Sequence, residues 1–216
     1  MNEDIKILNR LLDNFNIIFW DFDGVIKNSL EVKSNAFSKL FSSFGEILTN
    51  KIVAHHNNNG GVSRFKKIPL YLDWVGEKNN DENIKKYLKE FSSLVKFEVI
   101  NSEWVSEVKS YIKKNYKKKY FILLTATPQN EIEFIIKKLN ITNQFREIYG
   151  SPNDKSDIIS KILKSHNFSN KNAVMVGDSK DDFIAAKNND INFILKINKF
   201  NKKFQMEFNG YKFGAI

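Results

Sequence analysis

The segment FWDFDGVIKN, Phe19 to Asn28, closes an apolar run, NIIFW (Asn16–Trp20), with two acids two residues apart and then a glycine. Side chains alternate along an extended chain, so Asp21 and Asp23 face the same way beyond the end of that strand. Two adjacent carboxylates repel. They become tolerable when a divalent cation neutralises one and the other is protonated or hydrogen-bonded for acid–base work. Gly24 lets the backbone turn sharply away. Taken alone, an Asp-x-Asp segment serves equally as a loop cap.

Four further apolar runs are expected as strands: YFILLTA (Tyr120–Ala126), EIYGS (Glu147–Ser151), AVMVGD (Ala173–Asp178) and NFILKI (Asn192–Ile197). Continuous apolarity points to strands covered on both faces. Helical patterns separate them, from Gln129, Lys155 and Asp181. The alternation predicts an α/β fold, a Rossmann-like doubly wound parallel sheet, with its chemistry at the carboxyl ends of the strands. The hundred or so residues between the first two strands read as helices and exceed any ordinary connection. They predict an inserted α-helical cap domain over 28–100, with the catalytic core formed by 1–27 and 101–216. Within it, SLEVKSNAFSKLFSSFG stops at Gly45, VSRFKKIPLYLDWVG follows, and DENIKKYLKEFSSLVKF ends near Phe97.

Composition narrows the chemistry. The 216 residues include no cysteine, which excludes disulfides, thiolate zinc sites and a cysteine nucleophile and leaves carboxylates to hold a hard metal. The net charge of +9 arises from 34 Lys and Arg against 25 Asp and Glu, scattered rather than gathered on one element. The densest run, KKNYKKKYF (Lys113–Phe121), reads as a helix terminus where lysines face the helix dipole, and nucleic acid is not an expected partner. No apolar stretch approaches the roughly 20 residues of a membrane span, and the first residues lack a secretory pattern, so the expected location is the cytoplasm. Oligomeric state is not encoded in any recognisable pattern.

Polar groups recur where the later strands end. Thr125 closes FILLT, a place for a hydroxyl to hold a phosphate oxygen. Lys155 opens a helix, an awkward position for a cation. Asp178 ends the fourth strand and Asp182 follows four residues later. Strand-end acids, a hydroxyl and a lysine together point to a site rather than to separate structural accidents.

DFDGVIKNS, LLTATP, GSPNDK and VGDSKDDFIAA resemble, in order, the four motifs of the haloacid dehalogenase superfamily, in its phosphatase branch with a helical cap (phosphoglycolate phosphatase-like). The resemblance implies a phosphoric monoester hydrolase in which Asp21 is the nucleophile, forming an aspartyl-phosphate, and Asp23 is the acid and then the base. It implies that Thr125 and Lys155 hold phosphoryl oxygens. It also implies that Mg2+ is bound by Asp21, the Asp23 backbone carbonyl and Asp178, and that Asp182 supports the metal or Lys155. Phosphoryl transfer depends on positioning and charge neutralisation, which such a set supplies. In the insert, HNNNGGVSRFKK (His56–Lys67) resembles a cap subgroup: Gly60 and Gly61 permit a left-handed or closely packed turn, and Ser63 is a helix cap. Arg64 and Lys67, three apart, are expected to reach an anionic substrate, with His56 and Ser63 beside them; Arg64 has the alternative of pairing with an acid of the cap. An acid often follows the first motif in the family; Asn28 stands there, a departure that touches the cap hinge rather than the chemistry. The resemblance to that cap subgroup implies a small phosphorylated metabolite as ligand, a sugar or amino-alcohol phosphate of surface-polysaccharide metabolism. A phosphosugar mutase on the same scaffold and a noncatalytic phosphometabolite-binding module are the alternative readings.

Overall fold

The computed structural model describes residues 3–214. Its elements run α1 (Glu3–Leu12), β1 (Ile17–Trp20), α2 (Leu30–Phe41), α3 (Glu46–Asn58), α4 (Arg64–Val75), α5 (Asp81–Asn101), α6 (Ser106–Asn115), β2 (Tyr120–Pro128), α7 (Gln129–Lys138), β3 (Glu147–Ser151), α8 (Lys155–Ser165), β4 (Ala173–Gly177), α9 (Lys180–Asn188), β5 (Asn192–Lys196), α10 (Lys202–Glu207) and β6 (Tyr211–Phe213). The strands form one sheet in the order β3-β2-β1-β4-β5-β6, every pair parallel.

Strand alternation divides the core. Ile18, Trp20, Phe121, Leu123, Val174 and Val176 face α1, α6 and α7, whereas Ile17, Phe19, Ile122, Leu124, Ala173 and Met175 face α8 and α9. Both faces are covered, which is why these strands are apolar throughout. The sheet is one strand wider than expected: β6 adds three residues at the β5 edge, too short to leave a periodic signal. Ile17 is in register with both Tyr120 and Ala173, so β1 and β4 end within a residue of each other while β2 runs on to Pro128, and the Asp21 amide donates to the Val176 carbonyl (3.0 Å).

Helices α2 to α5 lie between β1 and β2, and the first core cluster continues into them through Phe37, Phe41, Tyr71 and Phe91. The two chain crossings run side by side: the Asn28 amide donates to Glu103 O (2.8 Å) and the Val105 amide to Ile26 O (3.0 Å). Ser63 caps α4, its hydroxyl accepting from the Phe65 amide, and Gly76 ends it in a left-handed turn. Helix α5 continues past Phe97 to Asn101, because Val95 and Val99 carry its buried stripe onward. Lys113 and Lys114 occupy the last turn of α6, and Lys119 gives its ammonium to the carbonyls of Leu12, Asp13 and Phe15. That part of the lysine run therefore closes helix ends. No helix among the described residues is long and apolar enough to cross a membrane.

Candidate active site

The turn after β1 begins with Asp21, which is buried, and Lys155 at the start of α8 reaches it: Nζ donates to Asp21 Oδ1 (2.7 Å) and to Asp182 Oδ1 (2.5 Å). This explains the cation at a helix start. Its ammonium is held by two acids, which outweigh burial and keep it charged well above the usual lysine range. The second oxygen of Asp182 accepts from the Ser179 amide (3.1 Å) and hydroxyl (2.7 Å) in a capping box, so Asp182 supports Lys155 from beneath. Gly177 leaves the space: a Cβ there would lie 2.4 Å from Asp182 Cβ.

Asp178 lies beside Asp21. Carboxylate oxygens of Asp21, Asp178 and Asp182 all fall within 4.8 Å of one another, and all three residues are buried. Burial pushes Asp21 up to about 7, helped by Asp182 and Asp23 and opposed by Lys155; burial with Asp21 and Asp182 pushes Asp178 well above the ordinary carboxylate range. Three buried acids share the single cation of Lys155, an imbalance that a divalent ion bound through oxygen corrects. Both oxygens of Asp182 are already engaged by Lys155 and Ser179, which leaves Asp21 and Asp178 as the candidates to face a cation. Asn198 holds Asp178 Oδ2 (2.8 Å) and Asn201 its carbonyl (2.8 Å). Gly24, at φ +82°, packs directly against Asp178: a Cβ would come within 2.3 Å of Oδ2.

Asp23 lines the same small cavity as Asp21 but has partners of its own. Its Oδ1 accepts from Ser29 Oγ (2.6 Å), and its Oδ2 from Thr127 Oγ1 (2.9 Å) and from Lys33 Nζ of the insert. Burial raises this carboxyl, but Lys33 and the hydrogen bonds from Lys33, Ser29 and Thr127 overcome it and hold Asp23 below its ordinary value. Two acids two residues apart thus occupy opposite electrostatic environments. Thr125 is buried at the same strand end, accepting from the Thr127 amide (3.2 Å).

The insert contributes unevenly. Gly61 abuts the core, where a Cβ would come within 2.5 Å of Ser179 Oγ; it meets the expectation of a closely packed turn without a left-handed φ. Ser63 Oγ lies 2.7 Å from Ser151 Oγ at the end of β3. Arg64 does not face the site as a free cation. Its guanidinium is clasped by Glu131 of α7 and lies 4.4 Å over the Phe91 ring; Arg64 does pair with an acid, but one of the core rather than of the cap as expected, because α4 packs its N-terminal end against α7. Lys67 and His56 are both buried and meet each other, Nζ to Nδ1, at 3.0 Å.

Sequence reasoning did not single out Lys33, Ser29, Thr127, Asn198 or Asn201. Thr127 carried a signal, since it stands two residues beyond Thr125 and shares its side of the strand end. Lys33 carried none, because its approach depends on how α2 leaves the first motif.

Fold and site together define a Rossmann-like α/β protein that gathers strand-end carboxylates and one lysine at one edge of its sheet. The family described as haloacid dehalogenase-like hydrolase matches residues 17–196, and the chain belongs to it. A phosphoglycolate phosphatase of Vibrio cholerae is 34% identical over 71 residues, which span 31% of this chain and 31% of that protein. Among solved structures, a haloacid dehalogenase-like family hydrolase from Streptococcus pneumoniae superposes with a TM-score of 0.69 at 18% identity, covering 93% of each chain. CbbY from Rhodobacter sphaeroides, solved in complex with xylulose-(1,5)bisphosphate, superposes at 0.73 with 12% identity, covering 92% of this chain and 93% of that one.

Proposed function

We propose that the protein is a magnesium-dependent phosphatase that hydrolyses a phosphate monoester of a small metabolite through an aspartyl-phosphate on Asp21. The observation that carries this reading is the Asp21–Lys155–Asp182 chain beside Asp178, which supports Asp21 as nucleophile, Lys155 as the cation and Asp178 as a metal-facing acid.

In the first step an Asp21 oxygen attacks phosphorus and the ester P–O bond breaks, with Asp23 giving its proton to the departing alcohol oxygen. In the second, water attacks phosphorus while Asp23 takes its proton, and the bond to Asp21 breaks to release inorganic phosphate. In this reading Lys155 and Thr125 hold the phosphoryl oxygens. Asp21, Asp178 and the Asp23 carbonyl are the residues that would hold Mg2+, which when bound supplies charge neutralisation on the transferring group and favours the ionised form of Asp21. Lys33, Ser29 and Thr127 hold Asp23 as a carboxylate, the state that accepts the proton from water. For the protonated state of the first step, Lys33 must withdraw from Asp23, and because Lys33 is carried by α2 this assigns the insert a part in the cycle.

A noncatalytic binding module has no use for a second acid held ready beside the nucleophile. Turnover of p-nitrophenyl phosphate with magnesium, abolished by Asp21→Asn in a variant with unchanged circular dichroism, tests the reading; substantial turnover by that variant would remove Asp21 from its role.

A further inference from the structure

The lysine run after α6 serves only in part as a helix end. Lys119 gives its ammonium to three carbonyls, whereas Lys117 and Lys118 beside it form no ion pair among the described residues, and Lys117 meets only the Tyr116 ring, at 5.9 Å. Both are exposed, and the fold brings them to a third unpaired cation, Arg146, which stands just before β3. Glu147, next to Arg146 in the chain, does not neutralise it. That carboxylate is taken by Tyr120 Oη (3.0 Å), Tyr149 Oη (2.6 Å) and His166 Nε2 (3.3 Å).

These cations share a cavity of about 480 Å³ on whose wall no carboxylate stands. It lies at the amino ends of the strands: Asn16 precedes β1, Tyr120 opens β2 and Asn172 precedes β4. Strands rise about 3.3 Å per residue, so the five steps from Asn16 to Asp21 put about 16 Å between this cavity and the strand-end acids. The cavity is a compartment of its own, across the sheet from the candidate active site.

Three features of its wall fit one ligand chemistry. Lys117, Lys118 and Arg146 make a cleft of a single sign, which focuses its potential on an anion. Phe168 adds a ring, held by His166 in a stacked contact (centroids 5.3 Å) and by Tyr120 edge-on (5.2 Å). Asn16, Asn167 and Asn172 add side-chain amides that bond to no other protein group among the described residues. An amide offers a donor and an acceptor together, the pattern found along the edge of a nucleobase. Inorganic phosphate would use the cations alone, and an uncharged ring would leave them facing one another. A terminal phosphate carries about 1.5 to 2 negative charges near pH 7, and a second, bridging phosphate brings the total close to that of the three unpaired cations. The volume falls in the range that encloses a ligand of this size.

We propose that this cleft binds a nucleoside diphosphate, with its phosphates on Lys117, Lys118 and Arg146, its base against Phe168 and the asparagine amides at the base edge. Binding here requires no part of the candidate active site.

Calorimetric titration of ADP into the Asp21→Asn protein, with chelator present so that no metal-held phosphate is read, measures the binding; adenosine and inorganic pyrophosphate represent its two halves. ADP is expected to bind at least about tenfold more tightly than either half, and Lys118→Ser with Arg146→Ser to weaken it about tenfold to a hundredfold as charge-assisted bonds are lost. Phe168→Leu should weaken ADP and leave pyrophosphate unchanged, with thermal melting to check its fold. In the enzyme with Asp21 intact, Lys118→Ser with Arg146→Ser should retain kcat/KM for p-nitrophenyl phosphate. No binding up to about 1 mM ADP, or equal affinity for ADP and pyrophosphate, overturns the proposal. So does ADP binding that persists in the double variant and is lost in Asp178→Asn, which would assign it to the strand-end acids. A single-stranded RNA of about ten nucleotides that binds more tightly than ADP through the same cations would also overturn it, in favour of a polynucleotide.

Discussion

Arg64 of the insert and Glu131 of the core form a two-pronged ion pair, Nη1 to Oε2 at 2.9 Å and Nη2 to Oε1 at 2.7 Å, with each side chain only 5% exposed. Ser92 Oγ adds a third bond to Glu131 Oε2 (2.5 Å). A buried pair of this kind stabilises little against an apolar substitute, but loss of one partner strands the other in a medium that solvates it poorly. Glu131→Leu or Arg64→Met alone is therefore expected to cost about 3 to 5 kcal/mol of stability, and the two together much less than the sum. Urea denaturation of the four proteins measures the coupling. Additive losses would show that the two side chains do not depend on each other.

The same pair shows where sequence reading stops. The apolar runs, their helical spacers and the strand-end acids were legible because each signal is local: alternation, a cap, an acid after a strand. Asp21, Asp23, Thr125, Lys155, Asp178 and Asp182 gather at one edge because the register sets Trp20 beside Leu123 and Val176, each just ahead of the site residues of its own strand. Arg64 read as a substrate ligand because Glu131 stands 67 positions away in another layer, and no local pattern joins them. Lys33 was hidden for the same reason, with Asp23 brought to it by the turn of the chain between β1 and α2. The strand β6 escaped because three residues cannot show a period.

Lys67 makes stability depend on pH. Its folded value of about 7 lies below the ordinary 10.5, with burial and Lys33 and Arg64 lowering it and Asp181 opposing them; His56, itself held well below its usual range, is neutral near pH 7. Between about pH 7 and 10.5 the unfolded chain binds a proton that the folded chain does not, so this component of stability rises with pH across that window and is at its lowest below pH 7. Lys67→Met lacks it. The stability of wild type relative to the variant is expected to increase by a few kcal/mol from pH 7 to 10, measured by urea denaturation. A difference that does not vary with pH would place Lys67 in a solvated or ion-paired setting.

Metal dependence should appear in stability as well as in rate. An all-oxygen site between Asp21 and Asp178 relieves repulsion among buried acids, so saturating Mg2+, at about 100 times its Kd, is expected to add about 2.7 kcal/mol and raise the melting temperature. Chelator should abolish turnover and Mg2+ restore it. Ca2+, with its looser coordination, should restore it poorly. Asp178→Asn is expected to weaken both effects. Full activity in chelator contradicts the assignment.

The central claim is that Asp21 carries the phosphoryl group. Wild-type enzyme turning over a 32P-labelled ester, quenched in acid within the first turnovers and digested, should yield one labelled peptide containing Asp21, with the label released by hydroxylamine as expected of an acyl phosphate. Rapid turnover with no labelled protein, or label on a residue other than Asp21, would contradict the account.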